Sequence, residues 1–182
     1  TSSIVFTSAN WNVAQTITVS AFDDDSVEDP HDSTISASAA SLDAAYNGLA
    51  IADVTAHITD NDIAGFTVSA ISGNTTEAGG TATFTVVLNS QPTGNVTTTL
   101  SSDLTEGTIS TTTLVFSATD WSIARTVTVT GVNDDRDDGD IAYTVVLAVA
   151  SSADGNYNGL NPDDVAVTNV DDDGVGVNIS QR

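Results

Sequence analysis

The chain repeats itself. Ile4-Val5-Phe6, Asn10-Trp11-Asn12 and Thr16-Ile17-Thr18-Val19 recur 110 positions later as Leu114-Val115-Phe116, Asp120-Trp121-Ser122 and Thr126-Val127-Thr128-Val129. Tyr46-Asn47-Gly48-Leu49 recurs as Tyr157-Asn158-Gly159-Leu160, and Asp60-Asn61-Asp62 as Asp171-Asp172-Asp173, now at an offset of 111. Self-similarity at a fixed period marks a unit that is used more than once. The change of offset requires one inserted residue between the two sets of anchors, most simply in a loop. Residues 66–173 therefore form one complete unit, and residues 1–65 the C-terminal half of a preceding one. Residues 174–182 open a third, because Val175, Val177 and Ile179 alternate as the strand Phe66-Thr67-Val68-Ser69 does.

Within the complete unit the apolar period is two, which is the signature of a half-buried strand. Phe84, Val86 and Leu88 share one face, and Val127 and Val129 alternate with Thr126, Thr128 and Thr130. Tyr143, Val145 and Leu147 repeat the pattern, as do Val165 and Val167. Threonine suits the solvated face because its β-branched side chain fits extended backbone while its hydroxyl tolerates water. Turn signals separate the runs at Gly79-Gly80, Pro92-Thr93-Gly94, Gly107 and Asn158-Gly159. No stretch of ten residues has a helical pattern. The expected fold is all-β, an immunoglobulin-like antiparallel β-sandwich of about seven strands in two sheets. The strands are placed near 66–72, 80–90, 94–102, 112–117, 124–132, 141–150 and 164–170.

Composition decides which partners such a body accepts. It has 25 acidic side chains against three arginines and no lysine, for a net charge of −22. Nucleic acid and anionic membrane surfaces both require clustered cations and are excluded as partners. With 40% hydrophobic residues the chain is no disordered acidic tail. It lacks cysteine, so disulfides and thiolate chemistry are impossible. No apolar run is long enough to cross a bilayer as a helix, and no membrane insertion is expected. The chain opens on Thr1-Ser2-Ser3 and has no methionine, so a slice of a longer polypeptide is expected.

The acid is concentrated at strand ends. One cluster is Asp134, Asp135, Asp137, Asp138 and Asp140; its counterpart is Asp23, Asp24, Asp25, Glu28, Asp29 and Asp32. Another is Asp171 to Asp173, with Asp60 and Asp62 as counterpart; Glu77, Asp103 and Glu106 lie in turns. Together these are 19 of the 25 acidic residues, so the charge has an address rather than being spread. In an up-and-down arrangement alternate turns fall at one end, which brings the clusters to one pole. Carboxylates within about 5 Å of one another repel by several kcal/mol at an effective dielectric near 20. A hard divalent cation removes that cost, and oxygen ligands without His or Cys suit Ca2+. Magnesium wants fewer protein ligands and zinc other ligand types. The competing reading is a solvated acidic rim, and the recurrence of the clusters at a fixed offset argues against it. Asp171-Asp172-Asp173-Gly174 lacks both the spacing and the closing Glu of an EF-hand loop.

These residues resemble the Calx-β domain family, found as tandem repeats in giant bacterial surface proteins. The resemblance rests on Thr76-Glu77-Ala78-Gly79-Gly80-Thr81, on Ser102-Asp103 with Glu106-Gly107-Thr108, and on the run from Asp120 to Val129. It continues through Asn133-Asp134-Asp135 to Asp140 and the closing Asp171-Asp172-Asp173, and so spans the complete unit and the truncated copy. It implies an immunoglobulin-like sandwich with calcium at one pole, held by Glu77, Asp103, Asp134, Asp138 and Asp171 to Asp173. Asn133, Asp135 and a carbonyl near Arg136 are then close by. In the truncated copy Asp23, Asp24, Glu28, Asp60 and Asp62 are the corresponding metal residues. That copy lacks the segment carrying its own equivalents of Glu77 and Asp103, so its site is expected to be incomplete unless another chain supplies them.

No catalytic set is present. His31 and His57 are replaced by Ile141 and Thr168 at the corresponding positions, and no phosphate-cradling loop occurs. The expectation is a non-enzymatic, extracellular or cell-surface module. Calcium would stiffen its loops and its junctions with neighbouring repeats of the same polypeptide, for adhesion or as a stalk. Two alternatives are kept. One is a filament or sheath subunit in which identical chains complete the half unit through exposed strand edges. The other is a glycan-binding module using Trp121, whose plainer role is an anchor capping one end of the sandwich.

Overall fold

The computed structural model describes residues 3–176. Among them there is no helix, and none that is long and apolar enough to cross a membrane. Residues 66–170 fold as the expected all-β sandwich of two facing sheets. One sheet is ordered β3 (Phe66–Val68), β5 (Thr81–Leu88), β9 (Arg125–Gly131), β7 (Gly107–Ile109). The other joins β11 (Ser151–Ser152), β6 (Val96–Ser101), β10 (Ile141–Leu147), β12 (Val165–Val170) and β4 (Thr75–Thr76), with β8 (Thr113–Phe116) also on β6. All pairs in these two sheets are antiparallel except β12 with β4.

Alternation does what period two demands. Ala82, Phe84, Val86 and Leu88 of β5 are buried, as are Val127 and Val129 of β9, which pair in register with Phe84 and Ala82. From the opposite sheet come Val96, Leu100, Phe116, Val145, Leu147 and Val167. Phe66 meets both Phe116 and Tyr157 edge-on, with centroids 6.5 and 6.1 Å apart. Trp121 packs half-buried against this core, and Arg125 lies over the Phe116 ring while pairing with Asp120.

The connectivity is not up-and-down. Successive strands β5 and β6 lie in different sheets, because the segment between them holds a buried Pro92 and is too long for a two-residue hairpin turn. Two short strands beyond the expected seven, β4 and β7, edge the sheets, and β10 breaks off at Leu147 before resuming along β6 as β11. At the join of the two sheets Gly131 donates to the Gly80 carbonyl at 3.0 Å, and a methyl on Gly131 would overlap the Thr76 carbonyl oxygen and the Asn169 side chain.

Residues 3–63 carry two strands, β1 (His31–Ile35) and β2 (Val54–Ile58), paired so that His31 faces Ile58 and Ile35 faces Val54. The same register recurs where Ile141 faces Asn169 and Val145 faces Val165. Smaller features recur too. Asn10 Oδ1 accepts the Thr7 N–H as Asp120 Oδ1 accepts that of Ser117. Gly48 donates to Ala39 at 3.0 Å as Gly159 does to Ala150 at 2.9 Å, both glycines at positive φ. The offset between the matched positions is 110 up to Ile35 and Val145 and 111 from Ala39 and Ala150 onward. The extra residue therefore falls where β10 breaks from β11, as a bulge would place it. Val175 is exposed; Val177 and Ile179, assigned from sequence to a following strand, lie outside the described residues.

Candidate metal centre

Four chain segments converge at the pole beyond Gly131. The turn after β4 is tied to the end of β12 by the Glu77 N–H, which donates to the Val170 carbonyl at 3.0 Å. The turn after β6 is tied to the end of β9 by the Val132 N–H, which donates to the Glu106 carbonyl at 3.0 Å. Asn169 sits beneath, fully buried, donating to the Val132 carbonyl at 3.0 Å and accepting from the Thr75 hydroxyl at 3.1 Å. Its place on β12 continues the inward series Val165, Val167, so a polar residue in an apolar phase was a sequence signal for this joint.

Glu77 is the centre of the arrangement. It is only 5% exposed, and its Oε2 is buried with no hydrogen-bond partner. An unpaired buried carboxylate oxygen is costly, which is why such groups bind a proton, a cation or a donor. Carboxylate oxygens of Glu77, Asp172 and Asp173 lie within 4.8 Å of one another. Burial pushes the Glu77 carboxyl above its ordinary range; the Asp172 N–H acts against this, and the charges of Asp171, Asp134 and Asp173 add to it. Asp173 is pushed up as well, first by desolvation and then by Asp171, Asp172, Asp135 and Asp134.

Asp171 plays another part. Its carboxyl is held low by the N–H groups of Asp173 and Gly139, at 2.9 and 2.8 Å, so it is charged and organises the loop. Asp140 accepts the Asp171 N–H at 3.2 Å and Asp137 that of Val175 at 2.8 Å. These two, absent from the expected ligand set, brace the 134–140 loop against residues 171–175. Their only sequence signal was membership of the acidic run.

The other expected ligands lie outside this close group. Asp134 is half-buried and accepts the Arg136 N–H at 2.8 Å; Asp135 is exposed, and the Asn133 amide donates to the Asp134 carbonyl at 2.7 Å. Asp138 is exposed and lies outside the close group. Asp103 is also outside it: its carboxylate accepts the N–H and hydroxyl of Thr105, at 3.0 and 2.7 Å, which hold it below the usual range.

In the first 63 residues the corresponding acids form a looser set. Asp24 accepts the Ser26 N–H at 2.8 Å, Asp60 the N–H groups of Glu28 and Asp62 at 2.7 and 3.1 Å. These bonds hold Asp60 low, while desolvation and the charges of Asp60, Asp23, Asp25 and Asp24 push Asp62 up. The Glu28 carboxylate faces His31 at 3.9 Å rather than Asp60. Among the described residues no close group of three forms here, and no glutamate occupies the place that Glu77 takes beside Asp171 to Asp173.

A scan against models of known protein families and a search of curated proteins both return no match for this chain.

Proposed function

We propose that the chain is a calcium-binding structural module of Calx-β type from a tandem-repeat protein of the cell surface or extracellular space. Calcium at the Glu77 pole locks the 134–140 and 171–175 segments together and stiffens the exit of the chain toward the next repeat. The observation that carries this reading is the buried Glu77 carboxylate, whose Oε2 has no hydrogen-bond partner and which is grouped with the carboxylates of Asp172 and Asp173. The three grouped side chains all offer carboxylate oxygen, and their formal charge of −3 suits Ca2+ better than a softer or smaller ion. The recurrence of register and turn geometry between the first 63 residues and residues 114–173 supports a repeated unit. The repetition favours a stalk-like or adhesive role as part of this reading.

Calorimetric titration of the full chain with CaCl2, in parallel with MgCl2, tests the reading. Saturable heat with calcium, weakened at least tenfold by Glu77→Gln, is the expected result. No calcium heat, with Glu77 instead holding a proton at neutral pH, would sink it.

A further inference from the structure

The three prolines of the chain follow Asp29, Gln91 and Asn161. Only the first of these bonds has a carboxylate on its carbonyl side. An aspartate side chain reaches the carbonyl carbon of its own residue by closing a five-membered ring, so the attack is intramolecular and gains from proximity. With any other following residue, the next backbone nitrogen competes by attacking the side chain. Pro30 has no N–H, which closes that route. Its nitrogen belongs to a tertiary amide and departs as a secondary amine.

The fold holds this bond between two fixed points. Ahead of it the Glu28 N–H donates to Asp60 Oδ2 at 2.7 Å; behind it His31 opens β1, in register with Ile58 of β2. Asp29 and Pro30 therefore span the end of the β1–β2 ladder. The His31 ring folds back, and its Nδ1 lies 3.3 Å from the carbonyl oxygen of Asp29, the oxygen of the bond to Pro30. A carbonyl only accepts, so Nδ1 carries the hydrogen in this contact. The Glu28 carboxylate lies 3.9 Å from the same nitrogen. Water reaches the bond, because Asp29, Pro30 and His31 are all exposed. Gly139 and Asp140, which match Asp29 and Pro30, are exposed in the complete unit as well, so access belongs to this loop in both copies. The matching Gly139-Asp140-Ile141 has neither the proline nor the imidazole, which confines the chemistry to one copy.

We propose that the Asp29–Pro30 peptide bond is a self-scission site, with the Asp29 carboxylate as nucleophile and His31 as the donor to its carbonyl oxygen. A side-chain oxygen of Asp29 bonds to the Asp29 carbonyl carbon, and negative charge gathers on the carbonyl oxygen that His31 Nδ1–H contacts. The carbon–nitrogen bond breaks, and its electron pair passes to the Pro30 nitrogen, which takes a proton from water. Asp29 is left as a cyclic anhydride. A second water opens the anhydride, restoring the side-chain carboxylate beside a new α-carboxylate. Of the two protons released, one replaces the proton drawn from water and the other leaves Pro30 as a secondary ammonium. One water is consumed in all, once per chain. The cut falls inside the acidic loop just ahead of β1, and it stands on these contacts without the calcium reading.

The test incubates the full chain at neutral pH with a chelator and follows it by mass spectrometry. Expected are two fragments, residues 1–29 and residues 30–182, with no cut after Gln91 or Asn161. Asp29→Ala and Pro30→Ala should each abolish the cut. His31→Ala should slow it at least tenfold, as loss of one donor to a developing oxyanion does. His31→Asn, whose amide N–H takes the place of Nδ1–H, should restore part of the rate. Urea, which dissolves the loop geometry, should bring the parent chain down to the His31→Ala rate, and this arm decides the matter even where His31→Ala does not fold. A chain that stays intact overturns the proposal. So does a cut that proceeds equally fast without His31 or in urea, since the inherent lability of the bond then suffices.

Discussion

The phenol of Tyr157 is locked to the backbone of Ser90, accepting its N–H at 3.0 Å and donating to its carbonyl at 2.7 Å. Sixty-seven positions separate the two, and both are completely buried. The pair fastens the turn before β12 to the start of the crossover between the sheets. Tyr46 occupies the matching turn of the first half, with its ring in water.

Tyr157→Phe should therefore cost about 1–3 kcal/mol, because it strands a buried N–H while leaving the packing intact. Tyr46→Phe should stay within roughly 0.5 kcal/mol, as for an ordinary surface change. Urea unfolding followed by circular dichroism measures both. Equal costs at the two sites would contradict the difference in burial.

Much of the sandwich was legible because seven strands carry strict alternation, and β5 is buried at every second residue as its sequence requires. The two extra strands were not, since two or three residues at Thr75 and Gly107 are too few to display a period. The first half shows the complementary limit. Thr16 to Val19 alternate as well as Thr126 to Val129 do, yet form no strand, because a ladder needs a neighbour and the pattern cannot supply one. At the site, clustering of acid was visible in the runs themselves. Which carboxylates meet was not, because Glu77 and Asp172 are brought together only by the β4–β12 pairing, across 95 positions.

Gly131 marks where the two sheets touch. Gly131→Ala places a methyl against the Thr76 carbonyl and Asn169, both held by further hydrogen bonds. The expected loss is about 1–3 kcal/mol from overpacking, seen as a lower melting temperature. Gly139→Ala, at a positive φ but with open space around it, should cost less, about 1 kcal/mol.

Acid should weaken the fold through Asp154. Burial pushes its carboxyl up, but the N–H groups of Thr93 and Asn156, at 2.8 and 2.9 Å, outweigh it and hold the group below the usual range. A carboxyl depressed in the folded state stabilises above its unfolded pKa, near 3.9, and loses that contribution as pH falls through the folded value. Asp154→Asn should lower stability at pH 7 by about 1–2 kcal/mol, with the gap to the parent closing below about pH 4. Denaturant melts from pH 7 to pH 3 would reveal it, and a gap that widens toward acid would refute the assignment.

Calcium at one hundred times its dissociation constant should add about 2.7 kcal/mol, which for a unit of this size raises the melting midpoint by on the order of 10 °C. Glu77→Gln should remove most of that shift. A chelator should reverse it in the parent chain. Scanning calorimetry with and without calcium decides the matter, and identical midpoints would remove the metal from the account.

The parallel pairing of β4 with β12 bears on how the unit responds to tension. β4 lies near the start of the complete unit and β12 at its end, and they run side by side in the same direction. A pull on the two ends of the unit drags these neighbours past each other lengthwise. Their bonds, including that from Glu77 to Val170, are then strained together instead of peeling one at a time. A strand of only two residues thus sits on the seam that joins the two ends of the unit, and a cation bridging Glu77 to the residues after β12 would act as a rivet across it.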